Sequence, residues 1–345
     1  MLPVLTLSLQ ESKAPSPAAA TSAQPAATDP GYKVLQTFAV GGEGGWDYVT
    51  VDADPRRLYV PRSNRVLVLD ADSGAKVGEI ADTAGVHGVA IAAPLGRGFT
   101  SNGRADTATV FDLKTWKVLE TIKTGKNPDA LLFEPLHKRV YIGNGRSNDV
   151  TVIDADKLVV LGTVPVGGKP EALVADASGN VFVNVESTSE IARIDPSMLA
   201  VDKRYALAPG TDPTGLALDV AHGMLFAACS NDHLVVVDAT SGKVLASPTI
   251  GKRTDGAAFD ASAGLAFTSN GEGTLSIVAT TGDKPFTVVQ TLPTLAGART
   301  VVLDAKTHHL YLPTAEFEAA QPAAGGERRR PAMKADSFKI LVVGR

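Results

Sequence analysis

The chain has 345 residues, 44% of them apolar, which is ample for a buried core and excludes a disordered chain. A formal net charge of −4 offers no electrostatic support for nucleic-acid binding, and a single cysteine, Cys229, excludes an internal disulfide or a cysteine metal site. The 33 Gly and 21 Pro fall at turn-like intervals that favour many short strands, and no stretch approaches the ~18 apolar residues of a membrane span.

The N-terminus comes first. Met1 to Gln10 is apolar but has no basic leader. Residues 11–30 (ESKAPSPAAATSAQPAATDP) form a Pro/Ala/Ser tract with almost no large apolar side chain. Such a tract cannot offset its ordering entropy, so residues 1–30 are expected to be a disordered segment. They are the remnant of an export signal with a linker, or a cytosolic tail.

From residue 31 onward the chain repeats itself. Seven segments align: WDYVTVD (46–52), VHGVAIA (86–92), PDALLFE (128–134), PEALVAD (170–176), PTGLALD (213–219), TDGAAFD (254–260) and ARTVVLD (298–304). Their second residues are Asp47, His87, Asp129, Glu171, Thr214, Asp255 and Arg299, spaced by 40, 42, 42, 43, 41 and 44 residues. That is the period of a four-stranded propeller blade.

Each segment predicts an inner strand by its period-2 alternation, as in Val49/Val51 and Leu131/Phe133. A turn follows, then a second strand such as LYVP (58–61) or VYIG (140–143). Its aromatic falls 12 residues after the segment's second residue in six units and 11 in the fourth. A third strand such as DVTVID (149–154) ends in an aspartate. Asp70, Asp112, Asp154, Asp195 and Asp238 are read as turn caps with no catalytic weight. A more polar fourth strand such as WKVLETI (116–122) closes the unit.

The seventh unit has no fourth strand, whereas YKVLQTFAVGG (32–42) is a fourth strand without the other three. The two ends should pair and close the ring. The prediction is an all-β, seven-bladed propeller, one domain over 31–345. An insertion at 314–337 is either a lid carrying Glu316, Phe317 and Glu318 over one face or a loose loop.

The second-strand segments FTSN (99–102 and 267–270) and YIGN (141–144), with the following VTVID, resemble the YVTN-repeat, or YncE-like, propellers. The resemblance covers about 31–345. It implies fold strongly and activity weakly, because the family includes binding proteins, surface-layer proteins and enzyme domains. It also leans the reading of residues 1–30 toward export, hence a periplasmic or secreted protein.

In a propeller the inner strands line a central channel, so the seven aligned positions should ring one mouth. Four carboxylates, a histidine and an arginine there raise each other's energy unless something sits among them. Three readings stay open. Asp47, Asp129, Glu171 and Asp255 hold a divalent cation such as calcium in an oxygen shell. Alternatively, His87 works as an acid–base catalyst with Asp129 or Glu171 on a small molecule held by Arg299 and Arg62, making the chain a metal-dependent hydrolase or lyase. In the third, His87 and Arg299 simply neutralise the acids.

A second ring, fifteen residues on, holds Arg62, Asn102, Asn144, Cys229, Asn270 and Thr314, with Val185 in the shorter fourth unit. Arg62, Asn102, Asn144 and Asn270 join Trp46 and Arg299 as candidate ligand-binding residues. Cys229, in the run LFAAC, is read as a small buried hydrophobe. The Asn-Gly pairs at 102, 144 and 270 are read as turn chemistry. His137, His222, His308 and His309 fall in turns on the opposite face and are read as solvated, and His233 has no evident partner. The expected protein is a monomer that binds a small ligand or metal ion at the channel mouth. A protein-interaction scaffold using the outer rim is the remaining alternative.

Overall fold

The computed structural model describes residues 31–318 and 332–345, with Met1. The N-terminal segment and the middle of the insertion therefore lie outside the described residues. Seven four-stranded antiparallel sheets follow one another around an axis. The first contains Thr50–Asp52, Arg57–Arg62, Arg65–Asp70 and Lys76–Ile80, in that order from the axis outward. The seventh contains Val302–Asp304, His309–Thr314 and Lys339–Gly344, and its outer place is taken by Lys33–Ala39. That strand pairs antiparallel with Lys339–Gly344, as the ends of the sequence require.

No blade has a core of its own. Each of the seven apolar clusters is shared by two neighbouring blades; one, for example, joins Tyr59, Val66 and Val68 of the first to Val89 and Phe111 of the second. A sheet of this size has two apolar faces, and only a closed ring covers both on every blade. The period-2 alternation read from sequence is what supplies those faces.

Adjacent inner strands are also tied by hydrogen bonds. The Thr50 hydroxyl donates to the Val89 carbonyl at 2.7 Å, and the Thr214 hydroxyl donates to the Thr254 carbonyl at 3.1 Å. Near the axis the strands crowd. A Cβ on Gly215 would lie 2.6 Å from the backbone nitrogen of Ala257, so only glycine fits there.

The inner strands of blades two to six share a further irregularity. Their pairing with the second strand slips by one residue at Val86/Val89, Pro128/Leu131, Pro170/Leu173, Pro213/Gly215 and Thr254/Gly256. His87, Asp129, Glu171, Thr214 and Asp255 fall inside these bulges. A bulge re-aims a side chain, and here it releases the ring positions from the ladder. In blades one and seven the inner strand starts late, at Thr50 and Val302, which frees Asp47 and Arg299 as well.

Candidate functional site

The bulged positions meet. His87 Nδ1 lies 2.8 Å from an Asp47 carboxylate oxygen and 3.5 Å from one of Asp129. Arg299 pairs with Asp255 and reaches Asp47 at 3.4 Å. Glu171 is clamped by Lys169 at 2.5 Å, and Lys169 also pairs with Glu186. Five of the seven predicted ring positions are thus linked in one charged chain, and Glu171 stands in a second cluster with Lys169 and Glu186. The seventh, Thr214, is buried and spends its hydroxyl on the neighbouring blade.

Two members of the site were not anticipated. Lys169, two residues before Glu171, is one. Tyr48 is the other: its hydroxyl reaches across the channel from blade one to Glu171 of blade four, at 3.3 Å. The other blades carry Gly88, Ala130, Ala172, Gly215, Gly256 and Thr300 at the equivalent position. A single large residue in a column of small ones was the available signal.

Burial and mutual repulsion set the protonation of the ring. Burial, opposed by His87 and reinforced by Asp47, pushes Asp129 up to about 6. Burial and then the Asp129 charge push Glu171 up to about 8, against the pull of Lys169. Burial, opposed by Arg299, raises Asp255 to about 6. For His87 burial favours the neutral ring, but the hydrogen bond to Asp47 and the charges of Asp129, Asp47 and Glu171 together raise it. The Tyr48 phenol is held well above its ordinary range, by burial first and then by Asp255, Glu171, Asp129 and Asp47, so it is a neutral donor.

The carboxylates predicted as a four-acid cation shell do not converge on one point. Glu171 and Asp255 are occupied by Lys169 and Arg299. Asp47, His87 and Asp129 do converge: one ligand atom from each lies within 4.8 Å of the others. The His87 ring fits because residue 103 is glycine; a Cβ there would lie 2.6 Å from His87 Nε2.

The second ring is corrected by the structure. Arg62, Asn102, Asn144 and Asn270 are fully buried and do not face the mouth. Arg62 donates to the carbonyls of Gly41, Gly42 and Gly44, at 3.0, 2.8 and 3.1 Å, and lies 3.9 Å over the Phe338 ring. It fastens the loop that leaves the closing strand. Asn102 donates to the hydroxyls of Thr107 and Thr109, Asn144 to Asp149 and Thr151, and Asn270 to Thr274 and Ser276. Thr151 and Ser276 in turn accept from the backbone of Gly125 and Gly251, in the loops leading to Asp129 and Asp255. These asparagines position the ring without touching it. The Asn-Gly pairs do open turns, where Gly103, Gly145 and Gly271 are small because neighbours crowd them and not for a left-handed backbone.

Of the remaining expectations, Cys229 is fully buried, and burial pushes its thiol up to about 12. The third-strand aspartates do cap their turns: the Asp70 carboxylate accepts from the backbone nitrogens of Asp72 and Ser73, and Asp238 accepts from those of Thr240 and Ser241. The far-face histidines are not merely solvated. His137, His222 and His308 each bond a buried acid, Glu134, Asp219 and Asp260 respectively. His233 bonds the carbonyl and hydroxyl of Ser247.

The mouth is a cavity in two lobes. One, of about 680 Å³, has Asp47 and His87 at its floor and Arg104, Asp106, Lys126 and Arg146 around it. The other, of about 740 Å³, is more apolar and is lined by Thr214, Asp255, Ala296, Arg299 and Phe317 among others. Trp46 lines both. Its ring lies tilted against Phe317, from the base of the insertion, at 6.1 Å and against Phe338 at 5.2 Å. Among the described residues no helix is long and apolar enough to cross a membrane.

The family of YNCE-like beta-propellers matches residues 67–260, more than half of the chain. No curated protein matches the chain. Among solved structures, Kuenenia stuttgartiensis hydrazine synthase is similar over 78% of this chain and 92% of that one, at 15% identity and a TM-score of 0.70. U3-55K and the WD40 repeats of RRP9 are each 12% identical with a TM-score of 0.73; they cover 92% and 93% of this chain, and 99% of their own lengths is matched. At such identities the likeness is one of fold alone.

Proposed function

This chain belongs to the YNCE-like beta-propeller family, and from that premise we propose that it binds a divalent transition-metal cation at the floor of its channel mouth, on Asp47, His87 and Asp129, with room for a small ligand above. The observation that carries this reading is the convergence of one imidazole and two carboxylate donors within 4.8 Å of one another beside an open cavity. A nitrogen donor in the set favours zinc, manganese or iron over the all-oxygen calcium shell expected from sequence. The raised protonation of Asp129 is the energetic counterpart: a cation would relieve the repulsion that burial and Asp47 impose on it.

Isothermal titration of the metal-free protein with zinc and with manganese tests the site. Saturable one-to-one binding is expected, weakened about tenfold or more by His87→Ala and abolished by Asp47→Ala with Asp129→Ala. Absence of binding at millimolar metal, or equal binding by the double variant, removes the reading.

A hydrolase or lyase is the second reading. Three protein donors leave a coordination position for water, the arrangement of catalytic rather than structural sites. A His87→Ala variant that folds, yet leaves ester and lactone turnover unchanged, would exclude it. Export to the periplasm rests on the composition of residues 1–30; N-terminal sequencing of the mature protein tests it.

A further inference from the structure

The lobe above the proposed metal is unevenly charged. Arg104 and Arg146 stand at equivalent places in blades two and three, and neither guanidinium makes a hydrogen bond to a described residue. Lys126 beside them is spent on Asp106 at 2.7 Å. Two arginines with no side-chain partner at bonding distance, Arg146 acting on Asp106 through its charge alone, therefore overlook a floor of Asp47 and His87, with Asp129 against the imidazole. Without a cation on the floor, the carboxylates of Asp47 and Asp129 offset part of the attraction that the arginines exert on an incoming anion. A divalent cation cancels them, and the lobe becomes net positive. The neighbouring lobe offers the opposite chemistry: Trp46, Ala296 and the ring of Phe317, with Trp46 shared by the two.

We infer that the mouth takes a small organic anion with an apolar body: its carboxylate or phosphate oxygens held by Arg104 and Arg146 beside the metal, its body against Trp46 and Phe317. The inference rests on the metal reading for its charge balance. It also requires coupling, because each of metal and anion must strengthen the other by the same factor. Bidentate guanidinium contacts suit both carboxylate and phosphate, so the head group is left to experiment.

The test is calorimetric titration of the full chain, with and without saturating zinc. The probes are benzoate, phenyl phosphate, acetate and benzyl alcohol. Benzoate or phenyl phosphate should bind the zinc-loaded protein at least tenfold more tightly than the zinc-free protein, and whichever binds better identifies the head group. Acetate should be weaker for want of a body and benzyl alcohol for want of a charge. Arg104→Gln with Arg146→Gln should weaken the anion about tenfold or more while leaving zinc affinity within about twofold. Lys117→Gln, exposed just before the outer strand of blade two, should change neither.

Benzyl alcohol binding as tightly as benzoate overturns the role of charge. Acetate binding as tightly overturns the role of the apolar lobe. A double variant that binds benzoate like the wild type overturns the assignment to Arg104 and Arg146. If zinc itself does not bind, the metal reading and its coupling fall together, and the arginine assignment is then decided by comparing wild type and double variant without zinc.

Discussion

Asn102 shows how a residue can govern the mouth from a distance. Its Oδ1 accepts from the Thr100 hydroxyl at 2.8 Å, which orients the amide so that Nδ2 can donate to Thr107 and Thr109. Blade six repeats this with Thr268 and Asn270. Blade three has Ile142 in the place of that threonine, and there Asn144 Oδ1 is buried without a partner. Thr100→Val keeps the shape but strands Asn102 Oδ1 and removes an acceptor of the Thr109 backbone N–H. A loss of about 1–3 kcal/mol is expected in urea unfolding. Ile142→Thr supplies the missing donor, so its lost apolar burial should be largely offset and the net change should stay within about 1 kcal/mol. Equal costs for the two variants would show that the threonine–asparagine bond does not matter. The sequence displayed these asparagines clearly. What it could not display was their direction: a strand end level with the mouth still alternates its side chains, and position fifteen turns into the blade rather than toward the axis.

At the scale of strands, the ring positions were legible because a repeat of nearly constant length places equivalent residues at equivalent heights. The pairing of Lys33–Ala39 with Lys339–Gly344 was legible for the same reason, as an unmatched fourth strand and an unmatched third. Lys169 and Tyr48 escaped because they are departures from the repeat: a long cation just ahead of a ring position in one case, a late-starting inner strand in the other. The closing strand does more than complete a ladder. Tyr32 and Phe38 bury their rings in the clusters on either side of blade seven, and Arg62 holds the loop that follows. Deletion of residues 31–39 should therefore lower the melting temperature and expose the edge of Lys339–Gly344 to pairing between molecules. Size-exclusion chromatography with light scattering should show oligomers absent from the full chain. A truncated protein that stays monodisperse with an unchanged melting temperature would mean the ring closes without this strand.

For the molecule as a whole, the two faces of the propeller set opposite responses to pH. Asp129, Glu171 and Asp255 bind protons more tightly in the folded chain than in the unfolded one, as does His87. For these groups the native state carries more protons, so their contribution to stability is complete below the unfolded values and is lost as pH rises through about 6 and then about 8. The far-face acids run the other way. Burial pushes Asp260 and Asp304 up, but hydrogen bonds from Ser262 and from Arg56, with the neighbouring charges, hold both below the usual range. Their contribution is present above the unfolded value and is lost as pH falls below it. The metal-free protein should therefore be most stable at about pH 4–5, and its melting temperature should decline toward pH 8, at about 1–2 °C per kcal/mol for a chain of this size. Glu171→Gln and Asp129→Asn should flatten that decline, since neither replacement can ionise. Saturating zinc should reverse it, because a cation binds the deprotonated carboxylates and its affinity grows as the ring loses protons. Differential scanning calorimetry from pH 4 to 9, in chelator and in zinc, separates these effects. A melting temperature that climbs from pH 5 to 8 in chelator would mean the ring is already neutralised by Lys169 and Arg299, and that no charge imbalance is left for a cation to resolve.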